Sequence, residues 1–402
     1  MTTIGTFLPS GLGDGPRPGS PAHVAMVVSP DRFRQEAALT ARLAVGLVAE
    51  GLTVTVVEPL PEVAPDATQP RRARLERRFE LPHRVRYETR VPFWRRRDRL
   101  ARLVAAFDRS VPDLVWAAGV DGWDLAIDLA EALDRPVALD FRRAADLKVA
   151  VRSIRSERVV AVVAPCDALA RLARAVVPDQ FVRVVPMGVR VDDSFQARIG
   201  PARVIAILGE GRDDRAFAAA LRAARSALER HPDLMCVVEF PAGGSAAVWR
   251  FARALGLLDR ITAVDGSTDA GLAMTAVKAC DVLLMPEPRG GPRAEALVAL
   301  ARGIPVIAAV DPMADVLVDG ETAVILPSGD QHSSLWADAL LAALEHPEQA
   351  RLLAERGRAL VLARHRSTAA AAACVACVQD LLRGGPLVFP GQQPGEPIQT
   401  PV

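Results

Sequence analysis

Gly290 and Gly291 stand between an apolar run, DVLLMPE at 281 to 287, and a helical pattern that runs through Ala301 and ends at Gly303. A paired-glycine bend that opens a helix presents backbone N–H groups and the positive end of the helix dipole, which together suit a pyrophosphate or another anion. The stretch 285 to 309, MPEPRGGPRAEALVALARGIPVIAA, is therefore expected to turn free N–H groups toward a ligand. Pro292 fits its first turn, with Arg293 and Glu295 beside it. The other reading is a strand-loop-helix turn whose glycines serve backbone geometry alone. A second glycine loop, ILGEGRDDRAF, places Gly209 ahead of Arg212 and Arg215. Guanidinium forks of this kind match phosphate geometry, although a solvated loop charge is the plainer reading of Arg212.

Such loops need strands behind them. Short apolar runs alternate with longer amphipathic stretches along most of the chain, the pattern of a parallel sheet with crossover helices. HVAMVVS (23 to 29), a helix over 35 to 51 and LTVTVVEP (52 to 59) make one βαβ unit, and DLVWAAG, RPVALDF and VVAVVAP continue the first half. ARVIAILG, DLMCVVEF, RITAVDG, DVLLMPE, IPVIAAV and TAVILPS repeat the scheme between 202 and 328. The expected organisation is a loose N-terminus (1 to 22) and a first Rossmann-like domain (23 to 195), then a linker at 196 to 201 and a second domain (200 to 365). A terminal helix (366 to 383) crosses back, and a loose tail follows (384 to 402). Two doubly wound domains joined this way face across a cleft at the carboxyl ends of both sheets, where such sheets bind ligands.

With 402 residues, half of them hydrophobic, the chain can bury two cores. Its net charge of +1 gives no global reason to expect nucleic acid. Locally, residues 71 to 103 carry thirteen arginines against four acids, interleaved with Phe79, Tyr87, Phe93 and Trp94. That mixture suits an anionic membrane surface or an anionic acceptor, against the plainer reading of a solvated insertion in an arginine-rich chain. Five cysteines without a framework spacing fit a reducing compartment. Cys374 and Cys377, three apart in an Ala-rich helix, read as packed small residues rather than a redox pair or a metal site. The sequence shows no basic leader before an apolar core, and no uncharged apolar run approaches the ~18 residues of a membrane span. The expectation is a cytoplasmic protein, at most peripheral on the inner face of the membrane.

Four segments resemble, in order, those of the group 1 (family 4) retaining glycosyltransferases of the GT-B fold. VVPMGVRVDDSF is similar to the interdomain segment and ILGEGRDDRAF to the donor glycine loop. ACDVLLMPEP with ALVALARGIPVIAA resembles the carboxyl-terminal signature, and the stretch after Pro347 resembles the terminal helices. The resemblance covers about residues 23 to 383. It implies two Rossmann-like domains and a nucleotide diphosphate sugar as substrate, with no separate cofactor or metal. It also implies donor contacts from Gly209, Arg212, Arg215, Gly290, Gly291, Arg293 and Glu295.

The departures from the family are specific. Its pattern has one Glu just before the signature helix and a second eight residues later; these positions are Gly290 and Val298. A hydrogen bond to a charged group contributes about 1.5–3 kcal/mol, so the two losses weaken donor use. Glu295, one turn from Val298, is the candidate substitute, with a solvated first-turn Glu as the alternative. Glu210 stands where the family has an Arg, while Arg215 keeps the charge of its Lys. On the acceptor side Asp140 or Phe141 replaces a His, and Arg32 lies in a turn, SPDRFRQE, without the usual Gly-Gly pair. None of the six histidines replaces the missing one: His231, His332, His346 and His365 fall in contexts typical of surfaces.

Two functions follow. The first is a divergent glycosyltransferase acting on a glycan, lipid or small-molecule acceptor, with no catalytic residue assigned. The second is a non-catalytic binding or assembly subunit. An epimerase on the same scaffold would need paired acidic and His chemistry, for which the sequence offers no candidates.

Overall fold

In the computed structural model the described residues are 21–60, 83–153, 156–192, 202–239, 246–264 and 270–383. The linker at 196 to 201, Phe79 and the first part of the basic segment lie outside them. Apolar runs buried on both faces pair in parallel, because crossover helices cover both sides of the sheet. β1 (His23–Val28), β2 (Thr53–Pro59), β3 (His83–Tyr87), β4 (Leu114–Ala118), β5 (Val137–Asp140), β6 (Val159–Ala164) and β7 (Val182–Val184) form one sheet, ordered β3-β2-β1-β4-β5-β6-β7. β8 (Val204–Ile207), β9 (Met235–Glu239), β10 (Ile261–Val264), β11 (Val282–Met285), β12 (Val306–Ala309) and β13 (Val324–Leu326) form the other, ordered β10-β9-β8-β11-β12-β13. Strand order reverses between β1 and β4 and again between β8 and β11, which opens a ligand crevice at the carboxyl end of each sheet.

β3 was not expected. HRVRY buries only Tyr87, whose hydroxyl donates to the Val28 carbonyl at 2.7 Å, so an edge strand here carries almost none of the apolar signal of the inner strands. The first helix is also longer than its periodicity predicts. It spans Pro30–Ala49, is capped by Ser29 with Pro30 at its first position, and kinks at Glu36.

The chain crosses between domains twice, and the crossings lie side by side. Val189 bridges Arg366, and the Val189 N–H donates to the His365 carbonyl at 2.8 Å. His365 is buried, not a surface residue: its Nδ1 lies 2.9 Å from the Met187 carbonyl, and burial lowers its pKa. His23 is buried likewise, between Thr55 and Ser110. Beyond His365 the helix Ser367–Arg383 packs Cys374, Cys377, Val378 and Leu381 into one core with Val24, Met26, Leu47 and Trp116 of the first domain. Both thiols are free and buried, and burial pushes Cys377 up to about 11, as packed small residues require.

Candidate functional site

β1 and β4 end next to each other on the cleft. The Ser29 N–H donates to the Ala118 carbonyl, and the Ser29 hydroxyl caps the Arg32 N–H. Gly119 takes φ +98°, and a Cβ there would lie 2.3 Å from the Ser29 hydroxyl, so only glycine allows the two ends to meet. The contact turns Arg32 inward. Its Nη2 lies 3.3 Å from Asp140 at the end of β5, and its Nε lies 2.9 Å from Glu36, which the helix kink carries inward.

The residues after β5 extend this cluster toward the second domain. Arg142 pairs with Asp140 at 3.3 Å, and burial followed by the neighbouring Arg32 lowers its pKa. Arg143 lies 3.5 Å from Asp31, 3.7 Å from Asp146 and 3.5 Å from Glu210 of the second domain. Glu210 also pairs with Arg289 at 3.0 Å, and Arg293 with Glu295 at 3.5 Å. One cleft pocket is lined by Asp31, Arg32, Arg142, Arg143, Asp146 and Arg289, so both domains contribute guanidinium groups to it. Burying this many charges is tolerable only because each has an opposite charge close by.

The second domain's side of the site departs from expectation. The N–H groups of the glycine bend are not free: the Asp311 carboxylate accepts from Arg289 (2.9 Å), Gly290 (2.8 Å), Gly291 (3.3 Å) and Met313 (3.0 Å). The bend itself rests on the first domain. The Ala144 N–H donates to the Gly290 carbonyl at 2.8 Å, and a Cβ on Gly291 would come within 2.0 Å of the Arg142 carbonyl. Gly290 takes φ +75°, as the turn demands. Pro292 lies outside the helix, which spans Ala294–Ala301 with Arg293 as its cap residue.

The glycine loop is filled in the same manner. The Glu287 carboxylate accepts from the N–H groups of Glu210 (2.6 Å), Gly211 (3.0 Å) and Asp213 (2.6 Å). Gly209 leaves room for it, since a Cβ there would lie 2.6 Å from Glu287 Oε2. Two nests of backbone amides, each suited to an anion, thus hold carboxylates of the chain itself.

Of the residues singled out from sequence, Arg32, Asp140, Arg293 and Glu295 are buried or nearly so and face this region. Glu295 is not a solvated surface acid, its side chain being 13% exposed. Arg215 is exposed in the first turn of the helix Asp214–Arg230, and Arg212 is 73% exposed and paired with Glu210. Sequence reasoning missed Glu36, Arg142, Arg143, Glu239, Glu287, Arg289 and Asp311. Their shared signal is position, since most of them end a strand or lie in the loop just beyond one, where a doubly wound sheet places its ligand contacts.

Glu239, at the end of β9, is pushed up to about 7, first by burial and then by Glu295, while Arg293 and Arg289 pull it down. A carboxyl group raised in the folded state stabilises the fold fully below its unfolded value, and that contribution is lost as pH rises through about 7. Between pH 5 and 8 the wild type should therefore lose more thermal stability than Glu239→Gln. Parallel melting curves for the two proteins would contradict the assignment.

No protein-family model matches the chain, and no curated protein matches its sequence. Solved structures do. HepE of Anabaena, in complex with UDP and glucose, superposes with a TM-score of 0.67 at 12% identity, covering 89% of this chain and 99% of that one. Sucrose-phosphate synthase from Thermosynechococcus elongatus gives 0.68 at 16% identity, with 90% and 100% covered. A glycosyltransferase from Rickettsia africae gives 0.65 at 13%, with 91% and 100% covered. The chain has the two-domain α/β architecture of the GT-B fold.

Proposed function

We propose that this protein is a divergent glycosyltransferase that takes a nucleotide diphosphate sugar into the interdomain cleft and transfers the sugar to an acceptor. The observation that carries this reading is the convergence of Arg32, Arg142, Arg143 and Arg289, drawn from both domains, on one pocket at the sheet ends. Guanidinium forks bind phosphate bidentately and stabilise the negative charge that develops on a leaving diphosphate, so they offer the positioning and charge compensation that glycosyl transfer asks of the protein. HepE, similar in fold, was crystallised with UDP and glucose, which supports the donor class. In this reading Arg143 and Arg289 hold the diphosphate, because the amides at Gly290 and Gly291 are committed to Asp311.

A second reading, a binding or assembly subunit without turnover, is favoured by the filled amide nests and by Val298 and Gly290 standing where the family has carboxylates. Incubating the protein with UDP- and GDP-sugars and measuring release of the free nucleotide separates the two. Release above the buffer rate supports the transferase; binding without release supports the subunit.

Contact with an anionic membrane surface belongs to the same proposal. Within the described part of the basic segment, Phe93 and Trp94 are 76% and 67% exposed and pack edge to face, with Arg95, Arg96 and Arg97 exposed after them. Exposed aromatics beside guanidinium groups match a headgroup boundary. Among the described residues no helix is long and apolar enough to cross a membrane. The protein should co-sediment with vesicles containing phosphatidylserine and not with neutral ones. Replacing Phe93 and Trp94 together by Ala should reduce the bound fraction several-fold; undiminished sedimentation would remove this contact from the account.

A further inference from the structure

Behind the cleft, on the far side of Arg32 and Arg142, a cavity of ≈ 30 Å³ lies between the first domain and the two interdomain crossings. One wall is the crossing from Val185 to Gly188 together with Ser367 and Ala370 at the start of the terminal helix. That wall is fixed by packing, since a Cβ on Gly188 would come within 2.5 Å of the Ala370 Cβ. The opposite wall carries Arg32, Thr40, Trp116 and Arg142. Thr40 and Trp116 take no part in the cleft pocket.

Four buried polar atoms of these lining residues have no hydrogen-bond partner in the protein: Arg32 Nη1, Arg142 Nη1, Thr40 Oγ1 and Trp116 Nε1. Thr40 is 6% exposed and Trp116 1%. Leaving one such group unsatisfied costs about 1–3 kcal/mol, and folded proteins rarely leave several together. All four can donate, and three of them can only donate. The charged lining is Arg32, Arg42 and Arg142 against Asp140, with Glu36 paired to Arg32 at 2.9 Å just outside it, which leaves one positive charge in excess. Donors of this kind, on a wall with excess positive charge, call for an acceptor-rich, negatively charged occupant. The volume corresponds to about two waters, the room taken by one carboxylate or one phosphate group.

We propose that this hinge cavity is a binding site for a small oxyanion, a carboxylate or a single phosphate group, held by Arg32, Arg142, Thr40 and Trp116. The anion joins the first sheet to both crossings, so its presence stiffens the connection between the domains. The site is separate from the sugar-nucleotide cleft, although Arg32 and Arg142 face both.

The test uses the whole protein with inorganic phosphate in one arm and acetate in the other, each against chloride at matched ionic strength. At least one anion should change tryptophan emission saturably and raise the melting temperature. Trp116→Phe keeps an aromatic ring but removes the N–H, and should abolish the emission change. Thr40→Val keeps the shape but removes the hydroxyl, and should weaken the response about tenfold, as expected for one hydrogen bond to a charged group. The arm that responds identifies the anion. If neither anion gives a saturable response, or if both variants respond as the wild type does, the proposal is overturned. It also fails if Thr40→Val raises the melting temperature equally at every phosphate concentration, because the hydroxyl then has no anion to serve. Should Trp116→Phe not fold, Thr40→Val carries the test alone, and UDP titration of either variant reports the cleft independently.

Discussion

Glu287→Ala should destabilise the second domain and make the protein responsive to pyrophosphate. Removing the carboxylate leaves the N–H groups of Glu210, Gly211 and Asp213 without their acceptor. Water reaches these partly buried groups and offsets some of the loss, so the expected net cost is about 2–4 kcal/mol, or roughly 5–10 °C in the melting temperature of a domain this size. Pyrophosphate can then enter the vacated nest. Its addition should restore much of the lost stability in the variant while shifting the wild type by far less. A variant that melts with the wild type, or that ignores pyrophosphate, would show that Glu287 does not fill an anion nest.

Gly291→Ala should open the cleft. The added Cβ would meet the Arg142 carbonyl at 2.0 Å and Leu169 Cδ1 at 3.3 Å. Both sides of the carbonyl clash are backbone, so no rotamer relieves it and one domain must shift by more than an ångström. That shift breaks the Ala144 N–H to Gly290 carbonyl bond and the Arg143–Glu210 pair, two of the contacts that span the domains here. Overpacking of this kind costs about 1–3 kcal/mol. Solution scattering should record a larger radius of gyration, with increased protease access to the loop after β5. An unchanged scattering curve together with an unchanged melting temperature would contradict the close approach.

The inner strands were legible because a parallel strand buried on both faces is a continuous apolar run, as HVAMVV and VVAVVA are. The edge strand His83–Tyr87 was not, since its side chains alternate with arginines that remain outside the core. The Gly290–Gly291 bend lies where the sequence places it, but its amides are not free. Local sequence announces the amides and the dipole; the carboxylate that occupies them arrives from Asp311, twenty-one residues beyond Gly290, in the loop after β12.

The arginine cluster was hidden for a related reason. Arg142 and Arg143 form an unremarked doublet in an arginine-rich chain. What distinguishes them is burial beside Asp31, Asp140 and Glu210, partners that only the tertiary fold supplies. Glu210 reads in sequence as the loss of a phosphate-binding cation. In the structure it is the point at which Arg143, Arg212 and Arg289 meet, so guanidinium groups from neighbouring elements surround this position.

Calorimetric titration of UDP and GDP into the wild-type protein and into Arg289→Ala tests the cleft most directly. Cleft arginines that hold a diphosphate predict saturable binding of one nucleotide per chain by the wild type, weakened about tenfold or more in the variant through loss of a charged hydrogen-bonding partner. No heat of binding to the wild type at millimolar nucleotide, or equal affinity in the two proteins, would contradict it.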